Sequence, residues 1–331
     1  MRHIAWLAAF AAMAAPAPAH PQVHAPHAPT LWISNEAGHS VTVVDAASNR
    51  VLATIPLGAR ARGIHASPDG RRVYVALSND AGQRDPAKEQ IVAVDVATRH
   101  VVAHYRVGSD PEQFAVSPDG RTLYVANEDG GTATMLDVAT GKRLGALVVG
   151  IEPEGVTFSP DGRWVYVTSE TSNSLSVIDA VRHKVVSNIL VDLRPRAAAF
   201  TPDGRRIFVT AEVGGSLSAI DAATRDVLAT IPIENNEGKP VGVVVSPDGR
   251  RVYVAAGKGN ALHVFDARTY RSIATIPVGQ RPWGVAISAD GRFVYSADGL
   301  SNTVSVVSTS NNRVVQRIPT GNKPWGIAIV P

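Results

Sequence analysis

The residues best placed to do chemistry flank a repeated motif, Pro-x-Gly-φ-x-φ or a near variant, that begins at Ala61, Pro111, Pro153, Pro195, Pro240, Pro282 and Pro324. Immediately before these positions stand Arg60, Asp110, Glu152, Arg194, Lys239, Arg281 and Lys323. One place after them stand Arg62, Glu112, Glu154, Arg196, Val241, Trp283 and Trp325. Arginine can fork a carboxylate, and tryptophan can stack on a planar body or a cation. A concave surface carrying these groups therefore suits a small anionic or amphipathic ligand. The candidate binding residues are Arg60, Arg62, Glu112, Glu154, Arg194, Arg196, Arg281, Trp283, Lys323 and Trp325. The second and third motifs supply acids and the others bases, so a polarised site is expected. The plainer alternative is solvated loop charges that pair across neighbouring repeats.

A second set lies four residues after a recurrent aromatic: Glu36, Ser78, Glu128, Glu170, Glu212, Gly257 and Gly299. The glutamates Glu36, Glu128, Glu170 and Glu212 are hard oxygen ligands that could hold calcium or another divalent cation. The competing expectation is that Arg60, Arg62, Arg194 and Arg196 neutralise them. Histidine gives two signals. His20, His24 and His27 cluster among prolines and alanines in a candidate copper or zinc leader, and His65 stands where the other repeats carry Ala, Thr or Val.

The chain has no cysteine, which excludes disulfides, thiol catalysis, covalent haem and thiolate-held metals. Gly257-Lys-Gly259 lacks the third glycine and following helix of a phosphate cradle, and no Gly-x-Ser-x-Gly elbow occurs. With 32 Lys and Arg against 29 Asp and Glu, the charge nearly balances. Arginines do gather beside one set of turns, but aspartates in and near those turns offset them, so nucleic-acid binding is not expected.

The elements that position these residues follow from self-similarity. Ser67-Pro68-Asp69-Gly70 recurs as Ser117 to Gly120, Ser159 to Gly162, Thr201 to Gly204, Ser246 to Gly249 and, without its proline, Ser288 to Gly291. The period is that of four short strands plus turns, and runs such as Trp164-Val-Tyr-Val-Thr168 have strand composition. Proline pre-sets the first corner of the turn, and glycine takes a left-handed position. Seven innermost motifs predict an all-β, seven-bladed β-propeller of four-stranded antiparallel blades. Its C-terminal innermost strand should join the N-terminal strands and close the ring, hiding the edges.

At the N-terminus, Arg2 and His3 precede the apolar run Ile4 to Ala15, which ends in Ala17-Pro18-Ala19. The expectation is a signal peptide over 1–19, a His/Pro/Ala-rich, disordered leader over 20–30 and the propeller over 31–331. Export to a bacterial periplasm, with no membrane span, follows from that reading.

The Val-Tyr-Val-Thr and Val-Tyr-Val-Ala strands, the Val-Ile-Asp-Ala third strand and the following Pro-x-Gly resemble the YVTN family of β-propeller repeats. More specific pieces are Trp32 to Glu36, Asp110 to Phe114, Ser169 to Asn173, Val191 to Arg196 and Lys323 to Gly326. They resemble the periplasmic propellers associated with pyrroloquinoline quinone (PQQ)-dependent catabolism. That resemblance implies a setting beside quinoprotein alcohol oxidation and a transport system, with a quinoprotein or transport component as the partner, and it implies no catalytic residues. Two departures are an insertion at Gln83 to Gln90 and a shortened connection from Ile233 to Lys239. Asp137-Val-Ala-Thr-Gly141 begins like a quinone-docking repeat, but Gly145 stands where that repeat has tryptophan, so no cofactor is expected. The leading expectation is a non-catalytic propeller that binds a small ligand or a partner protein at its channel mouth. The alternatives are a metal-dependent, lactonase-like hydrolase using the mouth glutamates and, second, a nucleic-acid-binding propeller.

Overall fold

A computed structural model describes residues 29–234 and 238–331. The expected signal segment and His20, His24 and His27 lie outside the described residues. Among the described residues, twenty-eight strands form seven separate four-stranded sheets. Blades are numbered here by their innermost strands: Arg60–Ala66, Pro111–Val116, Pro153–Phe158, Pro195–Phe200, Pro240–Val245, Pro282–Ile287 and Pro324–Val330. In blade 7 the last strand pairs antiparallel with Thr30–Asn35, matching Thr30 with Val330 and Trp32 with Ala328. The ends of the described chain thus complete one sheet, as expected. Among the described residues, no helix is long and apolar enough to cross a membrane.

The repeated turn explains why each blade keeps its shape. In blade 3, Ser159 Oγ donates to Asp161 Oδ1 at 2.5 Å, while the backbone N–H groups of Arg163 and Trp164 donate back to Asp161 and Ser159. Gly162 has φ 71°, a conformation that costs a glycine nothing. Each turn proline then seats beside the turn glycine of the next blade: Pro68 beside Gly120, Pro118 beside Gly162, Pro160 beside Gly204 and onward to Pro247 beside Gly291. Pro331 takes the same place beside Gly70 and carries the packing across the chain ends.

The core is distributed between blades. Trp32, Tyr74, Tyr124, Tyr166, Phe208 and Tyr253 on the second strands are almost wholly buried. Edge-on ring pairs such as Tyr124 with Phe158 and Tyr166 with Phe200 join adjacent sheets. Innermost strands approach so closely that a Cβ on Gly155 would lie 2.3 Å from the Arg196 carbonyl oxygen, and one on Gly284 would lie 2.4 Å from that of Trp325. The motif glycine permits this contact in those blades, while Gln113 and Ala197 stand in its place in blades 2 and 4. Because only backbone separates neighbouring innermost strands there, the flanking residues of different blades meet at one opening.

Candidate functional site at the channel mouth

The residues before the motif prolines are held in an unusual backbone state. Asp110, Glu152, Arg194, Lys239, Arg281 and Lys323 all have φ between 45° and 59°. Non-glycine residues rarely occupy that region without compensation. Part of the compensation comes from asparagine: Asn173, Asn260 and Asn302 accept the N–H of Arg194, Arg281 and Lys323 at 2.8–2.9 Å. The carbonyls of these residues in turn accept the N–H of the ring at the second-strand ends, including Lys323 to Glu36, Asp110 to Glu128, Arg194 to Glu212 and Arg281 to Gly299. The two rings read from the sequence are therefore fastened to each other.

All ten expected binding residues line one cup of about 440 Å³, together with Glu36, Glu128 and Glu212 from the second ring. Glu170 is not part of its wall but lies against Arg194 and Arg196. Residues Gly299, Leu300 and Pro324, which do not figure among the expected site residues, complete the wall. Gly257 and Gly299 interrupt the glutamates of the second ring, and Gly257 leaves room for the Arg281 side chain. A Cβ at Gly257 would lie 3.1 Å from its guanidinium nitrogen.

The expected polarity is largely quenched below the surface. Arg62 is ion-paired with Glu112 and lies 3.8, 3.6 and 3.5 Å from Glu36, Asp110 and Glu128. Arg196 contacts Glu154 at 2.7 Å, bonds Glu170 and lies 3.6 Å from Glu212. Above these two buried arginines, Arg60 Nε donates to Glu36 at 2.7 Å and Lys323 reaches it at 3.0 Å. Likewise Arg194 bonds Glu170 at 2.5 Å, and Arg281 bonds Glu212 at 3.0 Å. Glu36, Glu112, Glu154, Glu170 and Glu212 expose no more than 8% of their side chains, whereas Lys323 exposes 50%, Arg194 48% and Arg281 29%. These five carboxylates lie underneath and Lys323, Arg194 and Arg281 reach the opening, while Arg62 and Arg196 are buried and Glu128 is partly exposed.

Burial pushes the Glu36 carboxyl up, but Arg60 and Lys323 outweigh it and leave the group below the ordinary range. At Glu128 and Glu154 the balance reverses. Burial raises both despite the attraction of Arg62 and Arg196, and the Asp110 charge adds to the rise at Glu128. Asp110, Glu112 and Glu128 offer carboxylate oxygens within 4.8 Å of one another, a spacing a divalent cation can bridge. Only Glu128 belongs to the four glutamates expected as metal ligands. Arg62 already lies among these three acids, so a metal ion there would have to displace its guanidinium.

Trp283 and Trp325 are neighbours, with ring centroids 6.1 Å apart and planes inclined by 40°. The Trp283 ring already carries two guanidiniums, with Arg281 at 4.7 Å and Arg196 at 5.1 Å. Trp325 is only 6% exposed and acts as floor. His65 is set against Phe114 at 5.0 Å, and burial lowers its imidazole to about 4, so it is neutral near pH 7. On the opposite face, Arg206 and Arg251 donate to the backbone carbonyls of Ala267 and Thr309 in the next blade, so these two arginines tie blades together.

Fold and site together define a seven-bladed propeller with an ionic cup at one end of its channel. The chain matches the seven-bladed β-propeller lactonase family over residues 5–148 and 192–317, and it belongs to that family. No curated protein matches it. Among solved structures, a chain of the Kuenenia stuttgartiensis hydrazine synthase superposes with a TM-score of 0.76 at 24% identity, covering 88% of this chain and 99% of that one. A putative 6-phosphogluconolactonase from Bacteroides uniformis gives 0.75 at 17% identity, covering 92% and 100%. The dihydro-heme d1 dehydrogenase NirN gives 0.67 at 20%, covering 94% and 77%. These likenesses are of fold.

Proposed function

We propose that the mouth binds an organic anion and that the protein hydrolyses an anionic lactone there. The observation that carries this reading is the vertical ordering of charge: exposed Lys323, Arg194 and Arg281 stand over buried carboxylates around one cup. Such a surface draws an anion, while the buried acids hold the cations in place. Family membership supports lactone chemistry. Glu128 is the general base in this reading, because burial raises its carboxyl above the ordinary range and its side chain is 24% exposed. It takes a proton from the attacking water and returns it to the ring oxygen as the acyl–oxygen bond breaks. Arg62, 3.5 Å from Glu128, keeps the carboxylate oriented.

A second reading, binding without turnover, is favoured by one specific observation: Glu36, Glu112, Glu128, Glu154, Glu170 and Glu212 each already have an arginine or lysine beside them. The test is a panel of anionic and neutral lactones, assayed with and without a chelator. Hydrolysis that survives chelation and is lost in Glu128→Gln supports the enzyme. Loss on chelation would instead transfer the chemistry to a metal at Asp110, Glu112 and Glu128. Saturable binding of the anions without turnover would support the second reading. Export to a periplasm and a working association with PQQ-dependent alcohol catabolism are proposed on the leader and the repeat pieces alone. Absence of the protein from a periplasmic extract would defeat both.

A further inference from the structure

One sector of the cup has no polar side chain to offer. The position after the second-strand ring carries Ala37, Asn79, Asp129, Thr171, Val213 and Lys258 in the other blades, but Leu300 in blade 6. Leu300 is 63% exposed and lines the cup, and its N–H donates to the Gln280 carbonyl at 3.0 Å, which pins its loop. Beside it, Gly299 and Pro324 expose no side-chain donor or acceptor, and the Trp325 ring forms the floor. The Trp283 indole N–H is buried and faces no acceptor, so it is not within reach of an incoming hydroxyl. Arg281 and Lys323, which precede the innermost strands of blades 6 and 7, line the same cup, the guanidinium resting on Glu212 and the ammonium on Glu36.

We infer that the mouth selects anions with an apolar body, a carboxylate held by Arg281 and Lys323 and a hydrocarbon portion laid on Leu300, Pro324 and Trp325, over polyhydroxylated or phosphorylated sugar acids. A sugar hydroxyl pressed against this sector would lose water without gaining a partner. A hydrocarbon would gain from burial there. The inference rests on the anion-binding reading above and names the class of ligand for the same site.

Titration calorimetry with acetate, butanoate, hexanoate, octanoate, gluconate and 6-phosphogluconate tests it on the whole protein. Affinity should climb about threefold per added methylene until the sector is filled. Octanoate should bind more tightly than 6-phosphogluconate. Leu300→Ser, an exposed loop change, should flatten the chain-length dependence between hexanoate and octanoate. A flat series, or tighter binding of 6-phosphogluconate, overturns the inference but leaves anion binding standing. If none of the six binds, the anion-binding reading fails as well.

Discussion

The two faces of the wheel are built from the same repeats and use charge in opposite ways. On the turn face each aspartate is satisfied within its own five-residue stretch, as Asp161 is by Ser159 and Arg163, and the blades are close copies. At the mouth the charges are also shared between blades. Arg62 of blade 1 meets acids of blades 7 and 2, and Arg196 of blade 4 meets Glu154 and Glu170 of blade 3. Local hydrogen bonds conserve a shape, whereas charges shared between blades create a surface that differs around the ring.

The sharpest way to break this contrast is to remove a shared charge. Arg196→Ala leaves Glu154, Glu170 and Glu212 buried without their common partner and should cost about 3–5 kcal/mol. Urea unfolding would measure it, and a loss under 1 kcal/mol would mean that the buried acids relax or take up protons.

Next in size is a pH effect inside the channel, between the two faces. The His65 imidazole is held near 4, below its ordinary 6.5, so the unfolded chain takes up its proton first as the pH falls. Stability should therefore drain away from pH 6.5 down to about 4 through this group. Melting curves of His65→Ala should show a shallower decline across that window than those of the unsubstituted protein, and parallel curves would contradict the assignment.

The backbone contact that brings the mouth residues together comes next. Gly155→Ala drives a methyl into the Arg196 carbonyl and should destabilise by about 2 kcal/mol, whereas Gly58, with open space around it, tests only backbone conformation. Comparable losses at the two sites would remove the close approach as a cause. The smallest effect belongs to the turn face. Asp161→Ala should cost about 1 kcal/mol, because its lost hydrogen bonds are local and solvated.

Much of the frame was legible in the chain. Ser-Pro-Asp-Gly fixed the period, and the seventh motif at Pro324 required closure with the N-terminal strands, which the pairing of Thr30 with Val330 realises. Aligning the repeats also collected ten residues that line one cup, while Asp110, Glu152, Lys239 and Val241, which adjoin innermost strands equally, are not part of its wall. The pairing among them was not legible. Whether Glu112 turns toward Arg62, or Glu154 toward Arg196, depends on how long side chains lean across a curved ring, and sequence spacing carries no such information. The cluster of Asp110 with Glu112 and Glu128 depends on the left-handed backbone at Asp110. Leu300 escaped notice for a simpler reason: a single aliphatic residue in a loop is an ordinary sequence feature until the charges around it are placed.

The most direct measurement of the central claim is a crystal of the protein soaked with 4-bromophenylacetate, located by the anomalous signal of bromine. The account predicts one site in the cup, with the carboxylate between Arg281 and Lys323 and the bromine over Leu300. Bromine on the Ser-Pro-Asp-Gly face, or an empty cup at a concentration that saturates binding in solution, would contradict it.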